Sequence, residues 1–163
     1  MNRTTYGLDI AKNVMQLHWV DSETGEIGRK KLARAKLVDH FARLQPVRIA
    51  LEACGSAHHW ARTLGALGHQ VELLPPSQVR AFVRSNKDDA ADARAIWLAA
   101  QHGDIRRVPN KTVEQQAAMA LHRTRQHWVS VRTATLNAST TLKSFLQGLG
   151  FERVEIGESP PLP

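Results

Sequence analysis

The sequence predicts an α/β fold with a mixed sheet, on three observations. Three short β-rich runs open the chain in hairpin order. Two further apolar runs of strand length follow, each set between helical segments. Gly, Pro and Ser punctuate the boundaries.

The elements follow in order. Residues 4–10 (TTYGLDI) form a first strand, and residues 14–20 (VMQLHWV) a second with part-alternating apolar positions. DSETG at 21–25 is a turn, with Gly25 where a positive φ is expected. Residues 26–32 return as a third strand, completing an antiparallel meander. Residues 35–44 read as a helix with Leu37, Val38, Phe41 and Leu44 on one face, ended by Pro46. Residues 47–52 (VRIALE) form a strand of the buried type, broken by Gly55. Ser56 is the expected N-cap of a helix over 57–67, which Gly68 stops. Residues 70–74 form a fifth strand, closed by Pro75 and Pro76. Ser77 is expected to cap a short helix reaching about Arg84, and another helix runs from near Asp88 to His102 before Gly103. Residues 105–109 are extended. Thr112 then caps a long helix to about Gln147, where Leu121, Trp128, Val131, Ala138, Leu142, Phe145 and Leu149 recur at steps of three, four or seven. That stripe points to core or oligomer packing, with an oligomer helix preferred. The tail over 151–163 reads as disordered.

Three antiparallel strands, helix, strand, helix, strand, helices is the element order of the ribonuclease-H-like fold, as in Holliday-junction resolvases. In that fold the first and fourth strands are neighbours. The expected organisation is this domain over 1–110, the long helix over 111–150 and the tail.

Charge narrows the function. Twenty-two Lys and Arg against 15 Asp and Glu give +7 on 163 residues, and the pI is near 10.2. This excludes an acidic disordered chain and suggests a polyanionic partner, most simply nucleic acid. A single cysteine, Cys54, excludes a disulfide framework and a Cys-based zinc site; it is expected to be small and buried. The N-terminal residues carry no signal-peptide h-region, and no run of about 18 apolar residues suggests a membrane span. A reducing, cytoplasmic setting is expected. No Gly-rich phosphate loop is present, which counts against a nucleotide-driven ATPase.

Within this basic chain lies an acidic constellation. Asp9 ends the first strand and Glu52 the fourth, both with apolar neighbours. On the late helix, Asp89 and Asp92 are three apart and share a face; Asp88 and Asp92 could do so too. Two carboxylates about 4 Å apart repel by roughly 4 kcal/mol at an effective dielectric near 20. Converging acids therefore need protons or a cation, and magnesium suits oxygen donors. Taken singly, each acid is equally a turn or helix-start residue favoured by the helix dipole.

The stretches YGLDIAKN, LEACGSAHHWARTLGALGHQVELLPPSQVRAFVRSNKDDAADARAI and VPNKTVEQQAAMALHRTRQHWVSVRTATLN, over about residues 5–137, resemble the N-terminal domain of the DEDD transposases of the IS 110 and IS 1111 insertion sequences. The resemblance assigns the family's four catalytic, metal-binding acids to Asp9, Glu52, Asp89 and Asp92. It implies magnesium, DNA recombination, work as a homo-oligomer, and in some members a structured guide (bridge) RNA. Family members also carry a C-terminal domain supplying a serine nucleophile. Residues after Asn137 drift from the family pattern, and Ser56, Ser77, Ser139 and Ser144 have no motif reason to replace that serine. A shortened product lacking that domain is expected. A non-catalytic module that binds nucleic acid or joins full-length subunits, and a self-sufficient junction resolvase or nuclease, stay open.

Candidate phosphate contacts are Lys12, Arg80, Arg84, Lys87, Arg106, Arg107, Lys111, Arg123, Arg125 and Arg132, with Lys143 nearby in sequence. Each could equally be a solvated face residue. His58 and His59 point to different helix faces, so joint metal ligation by both is not expected.

Overall fold

The computed structural model describes residues 4–83 and 89–151, with the backbone alone for Asp89 and Ala90. Five strands form one sheet: β1 (Thr5–Ile10), β2 (Val14–Val20), β3 (Ile27–Ala33), β4 (Arg48–Glu52) and β5 (Gln70–Leu74). The helices are α1 (Leu37–Phe41), α2 (Ala57–Ala66), α3 (Pro76–Arg80), α4 (Asp89–Gln101) and α5 (Val113–Gly148). The sheet order is β3-β2-β1-β4-β5. The meander is antiparallel, and β1–β4 and β4–β5 are parallel. This is the mixed sheet expected of a ribonuclease-H-like fold, with β1 and β4 side by side. The chain forms two compact units, residues 1–113 and 114–163.

Strand alternation gives the sheet two unlike faces. Tyr6, Leu8, Met15, Leu17, Ile49, Leu51 and Leu73 share one core with Leu37 and Phe41 of α1 and with Ala57, Trp60, Ala61 and Leu64 of α2. Tyr6 stacks on Trp19 at 5.0 Å between ring centroids and meets Phe41 edge-on at 5.6 Å. Buried His69 ties this face together: its Nδ1 accepts from the Val47 N–H at 3.2 Å, and its Nε2 lies 3.1 Å from the Phe41 carbonyl.

The other face carries residues of opposite parity: Gly7 and Asp9, Gln16 and His18, Ala50 and Glu52, Glu72 and Leu74. Ala50 and Leu74 pack with Val79 and with Ala95, Ile96, Ala99 and Ala100 of α4. Glu72 accepts from Arg48 and Arg107, each at 2.7 Å, and both guanidiniums also bond the Ala100 carbonyl. Burial pushes the Glu72 carboxyl up, but these two partners outweigh it and hold the acid below its usual range.

The sheet edges differ. β5 is continued by a single bridge, with the Val108 N–H donating to the Leu73 carbonyl at 2.8 Å. β3 presents exposed Arg29, Lys30 and Lys31. At the β2–β3 turn, Asp21 accepts from the N–H groups of Glu23 and Thr24 at 2.9 Å, and Gly25 has φ +74°.

Several boundaries correct the sequence reading. The helix expected over 35–44 is a 3-10 turn, Arg34–Lys36, followed by α1, which ends at Phe41. Ser56 does not cap α2: its backbone is already helical (φ −89°, ψ −16°), and its hydroxyl meets Cys54 Sγ at 3.5 Å. Ser77 lies inside α3, because the extended Pro75 takes the cap position and Pro76 the first helical one. Cys54 is exposed, since the chain after β4 leaves the core before α2 begins. α5 starts and ends within a residue of expectation, and none of its residues is buried. Arg84, Lys87, Asp88 and the tail over 152–163 lie outside the described residues.

Candidate functional site

Gly7 brings the acids towards one another. It lies in the middle of β1, on the face that α4 covers. A Cβ added there would meet the Ala93 carbonyl, and would lie 2.7 Å from Trp97 N and 2.9 Å from Trp97 Cβ. The α4 backbone therefore rests directly on the strand, an approach only glycine permits. Asp92 immediately precedes Ala93 on that helix. Asp9 lies two residues beyond Gly7, on the same sheet face.

Register adds the next acid. The β1–β4 ladder runs from Thr5 opposite Arg48 to Leu8 opposite Leu51. One step further along both strands come Asp9 and Glu52, on the face with Gly7 and Ala50. Both are half-buried. Glu52 has its carboxyl pushed up by burial and then by the negative charge of Asp92. Two acids from distant parts of the sequence thus stand within electrostatic reach. Asp92 is exposed, and Asp89 opens α4, although its side chain lies outside the described residues. Among the described residues no three His, Cys, Asp or Glu side chains already form a metal-holding group.

The donor chemistry suits a hard divalent cation. Carboxylate oxygens are the ligands that magnesium takes. A carboxyl whose charged form is disfavoured by a neighbouring acid is one that a cation would relieve.

The basic candidates separate. Lys12, Arg80 and Arg106 are exposed in the first unit, and Arg123, Arg125 and Arg132 are exposed on α5. Arg107 does not belong with them. Its guanidinium bonds Glu72 and the carbonyls of Ala100, His102 and Ile105, so it ties the segment after α4 to β5. Lys111 contributes backbone to a second tie: its N–H donates to His58 Nδ1 at 3.2 Å, and its carbonyl accepts from Arg62. The His58 imidazole is held below its ordinary range by burial and by Lys111 and Arg62, with Asn110 acting in the opposite sense. His58 thus fastens the segment leading to α5, while His59 is exposed.

Sequence reasoning missed two residues of this face. Gly7 was readable only as a strand glycine. His18, paired with Gly7 in the β1–β2 ladder, is 2% exposed, lies edge-on to Trp97 at 5.5 Å, and has its pKa lowered to about 4 by burial and then by Arg29 and Arg94.

Fold and site together define an acid-bearing ribonuclease-H-like domain. The chain matches the IS110 DEDD family, described as transposase, over residues 6–149, and it belongs to that family. It is 47% identical over 137 residues to a "Probable family 20 transposase" of Pseudomonas aeruginosa, covering 84% of this chain and 40% of that protein. To the transposase for insertion sequence element IS1111A of Coxiella burnetii it is 40% identical over 144 residues, covering 88% and 39%. To the transposase for insertion sequence element IS1328 of Yersinia enterocolitica it is 38% identical over 149 residues, covering 91% and 44%. The chain therefore spans about two fifths of the length of these relatives. Among solved structures it is similar to T. thermophilus RuvC in complex with Holliday junction substrate, at 15% identity and a TM-score of 0.45, covering 66% of this chain and 100% of that one. Among the described residues, no helix is long and apolar enough to cross a membrane.

Proposed function

We propose that this chain is the catalytic-domain part of a DEDD transposase, binding magnesium through Asp9, Glu52, Asp89 and Asp92 and acting on DNA. The observation that carries the reading is the Glu52 carboxyl, pushed up beside Asp92 and one register step from Asp9. When bound, the metal supplies positive charge that neutralises the acids and stabilises charge developing on a phosphodiester. Glu52 keeps its proton to higher pH than an exposed glutamate. Metal uptake therefore releases a proton, and affinity rises with pH through the range where Glu52 ionises. The exposed cations Lys12, Arg80, Arg106, Arg123, Arg125 and Arg132 give salt-dependent phosphate contacts. Homo-oligomeric assembly and a structured guide RNA belong to the same reading.

Thermal unfolding tests it. Magnesium at 100 times its Kd should stabilise by about 2.7 kcal/mol, raising Tm by about 5 °C or more. Asp9→Asn should remove the rise. A wild-type chain indifferent to magnesium overturns the site. Cleavage of branched DNA by this chain alone would favour a self-sufficient resolvase.

One observation favours a second reading, a non-catalytic module that joins full-length subunits. Leu121, Trp128, Leu136 and Phe145 of α5 are each more than half exposed. Co-purification with a full-length relative, together with salt-sensitive nucleic-acid binding and no cleavage, would support it.

A further inference from the structure

At the carboxyl end of β1, turned towards the α1/α2 side of the sheet, lies an open cleft of about 570 Å³. Lys12 and Asn13 of the β1–β2 hairpin, Arg34 of the 3-10 turn, and His59 and Trp60 of the first turn of α2 line it. None of its lining residues is acidic. A second cleft, around Lys30, His40 and Arg43, includes Asp39, paired with Lys36 at 3.7 Å. The first cleft is thus the cationic one. It also joins cations to aromatic rings. The Arg34 guanidinium lies over the Trp60 ring at 5.1 Å, and its Nη1 is 3.4 Å from the Ala11 carbonyl. His59 meets Trp60 edge-on at 5.2 Å and is exposed. Trp60 is 6% exposed, and its indole N–H has no hydrogen-bond partner among the described residues. A buried donor in that state is one that an incoming acceptor would satisfy.

We infer that this cleft is a subsite for one nucleotide of a single nucleic-acid strand, with its phosphate on Lys12 and Arg34 and its base against His59. The size suits a small flat ligand. Aromatic stacking combined with paired cations is how single strands are held without sequence reading. Arg34 is the movable part: shifting its guanidinium from the indole to a phosphate exchanges a cation–π contact for a charge-assisted bond and uncovers the Trp60 donor. Location supports the assignment. Lys12 is three residues from Asp9, so about 10 Å of chain at most separates the cleft from the first acid. A strand leaving the acids would pass over this end of the sheet. The inference rests on the nucleic-acid substrate proposed above, but it requires no metal.

Anisotropy of labelled oligothymidine and oligouridine with the full chain at low salt and in EDTA provides the test, so a failed metal response leaves it unaffected. Lys12→Ala with Arg34→Ala should weaken binding about tenfold on at least one strand and lower the salt slope by about 1.4, at about 0.7 per lost phosphate contact. His59→Ala should weaken it about fivefold or more. Arg43→Ala, on the other cleft, removes the same charge and should stay within twofold of wild type. Exposed Lys12→Glu, which leaves the Arg34–Trp60 contact in place, gives the same answer if the double variant fails to fold. A preference between the two strands identifies which one enters. Losses no larger than those of Arg43→Ala on both strands, or no binding by wild type, overturn the subsite.

Discussion

The sheet unit and α5 hold their polar groups in opposite ways. In the sheet unit the ties span long stretches of sequence: Arg48 to Glu72, Arg107 to Ala100, and His58 to Lys111. Along α5, Thr124, Thr133, Thr135, Thr140 and Thr141 each donate to the carbonyl four residues back. The first pattern fixes one tertiary arrangement, because each bond closes a long loop. The second costs the helix nothing in solvent and specifies nothing beyond it. Burial draws the same contrast: Leu8, Met15, Ile49 and Leu51 are fully buried, whereas Trp128 is 63% exposed. Chemistry that needs acids held in place belongs to the first region. α5 is suited to recognition, where a surface must remain available.

The contrast can be broken most severely at Gly7. Gly7→Ala places a methyl against the α4 backbone, which cannot yield without lifting the helix. Overpacking of this kind costs about 3 kcal/mol. Urea denaturation should show that loss, and the magnesium response should fall with it, since Asp92 moves with α4. A Gly7→Ala chain of wild-type stability would show that the close approach is not what fixes the acids.

A smaller effect sharpens the buried side of the comparison. His18 titrates near 4 in the fold and near 6.5 when unfolded. Its contribution is therefore present in full above pH 6.5, is lost as pH falls, and is gone below about 4, because the unfolded chain takes up the proton first. After allowance for solvent screening the change is about 2 kcal/mol. His18→Phe should flatten the acid limb of a stability–pH profile between 6.5 and 4. An unchanged limb would assign acid sensitivity to other groups.

The smallest effect is expected on the helix. Leu121→Glu with Leu136→Glu adds charge where both side chains are exposed. The unfolding midpoint of the sheet unit should move by no more than about 0.5 kcal/mol, while light scattering should report less self-association. A large loss of sheet stability would show that α5 supports the fold it follows.

Much of this was legible beforehand, and the reasons differ by element. The strands were readable because apolar alternation and turn residues are local signals, and the parallel pairing of β1 with β4 follows from their order. Asp9 and Glu52 could be placed because each ends a strand. The α5 stripe was visible, but a heptad-like pattern does not say what covers it. Gly7 was not legible, since its constraint comes from a helix more than eighty residues later. Arg107 misled for a related reason: in sequence it is one more cation among many, and only the fold brings it to Glu72. Cys54 misled because residue type predicts burial only on average.

The positive charge also has a role unrelated to any ligand. Exposed Arg29, Lys30 and Lys31 crowd the free rim of β3, while the Val108 bridge closes the rim of β5. A foreign strand approaching the first rim meets like charges, and one approaching the second finds the central carbonyl of Leu73 already taken. Part of the basicity that suggests a polyanion therefore acts as a guard against fibrillar stacking, keeping the sheet at five strands.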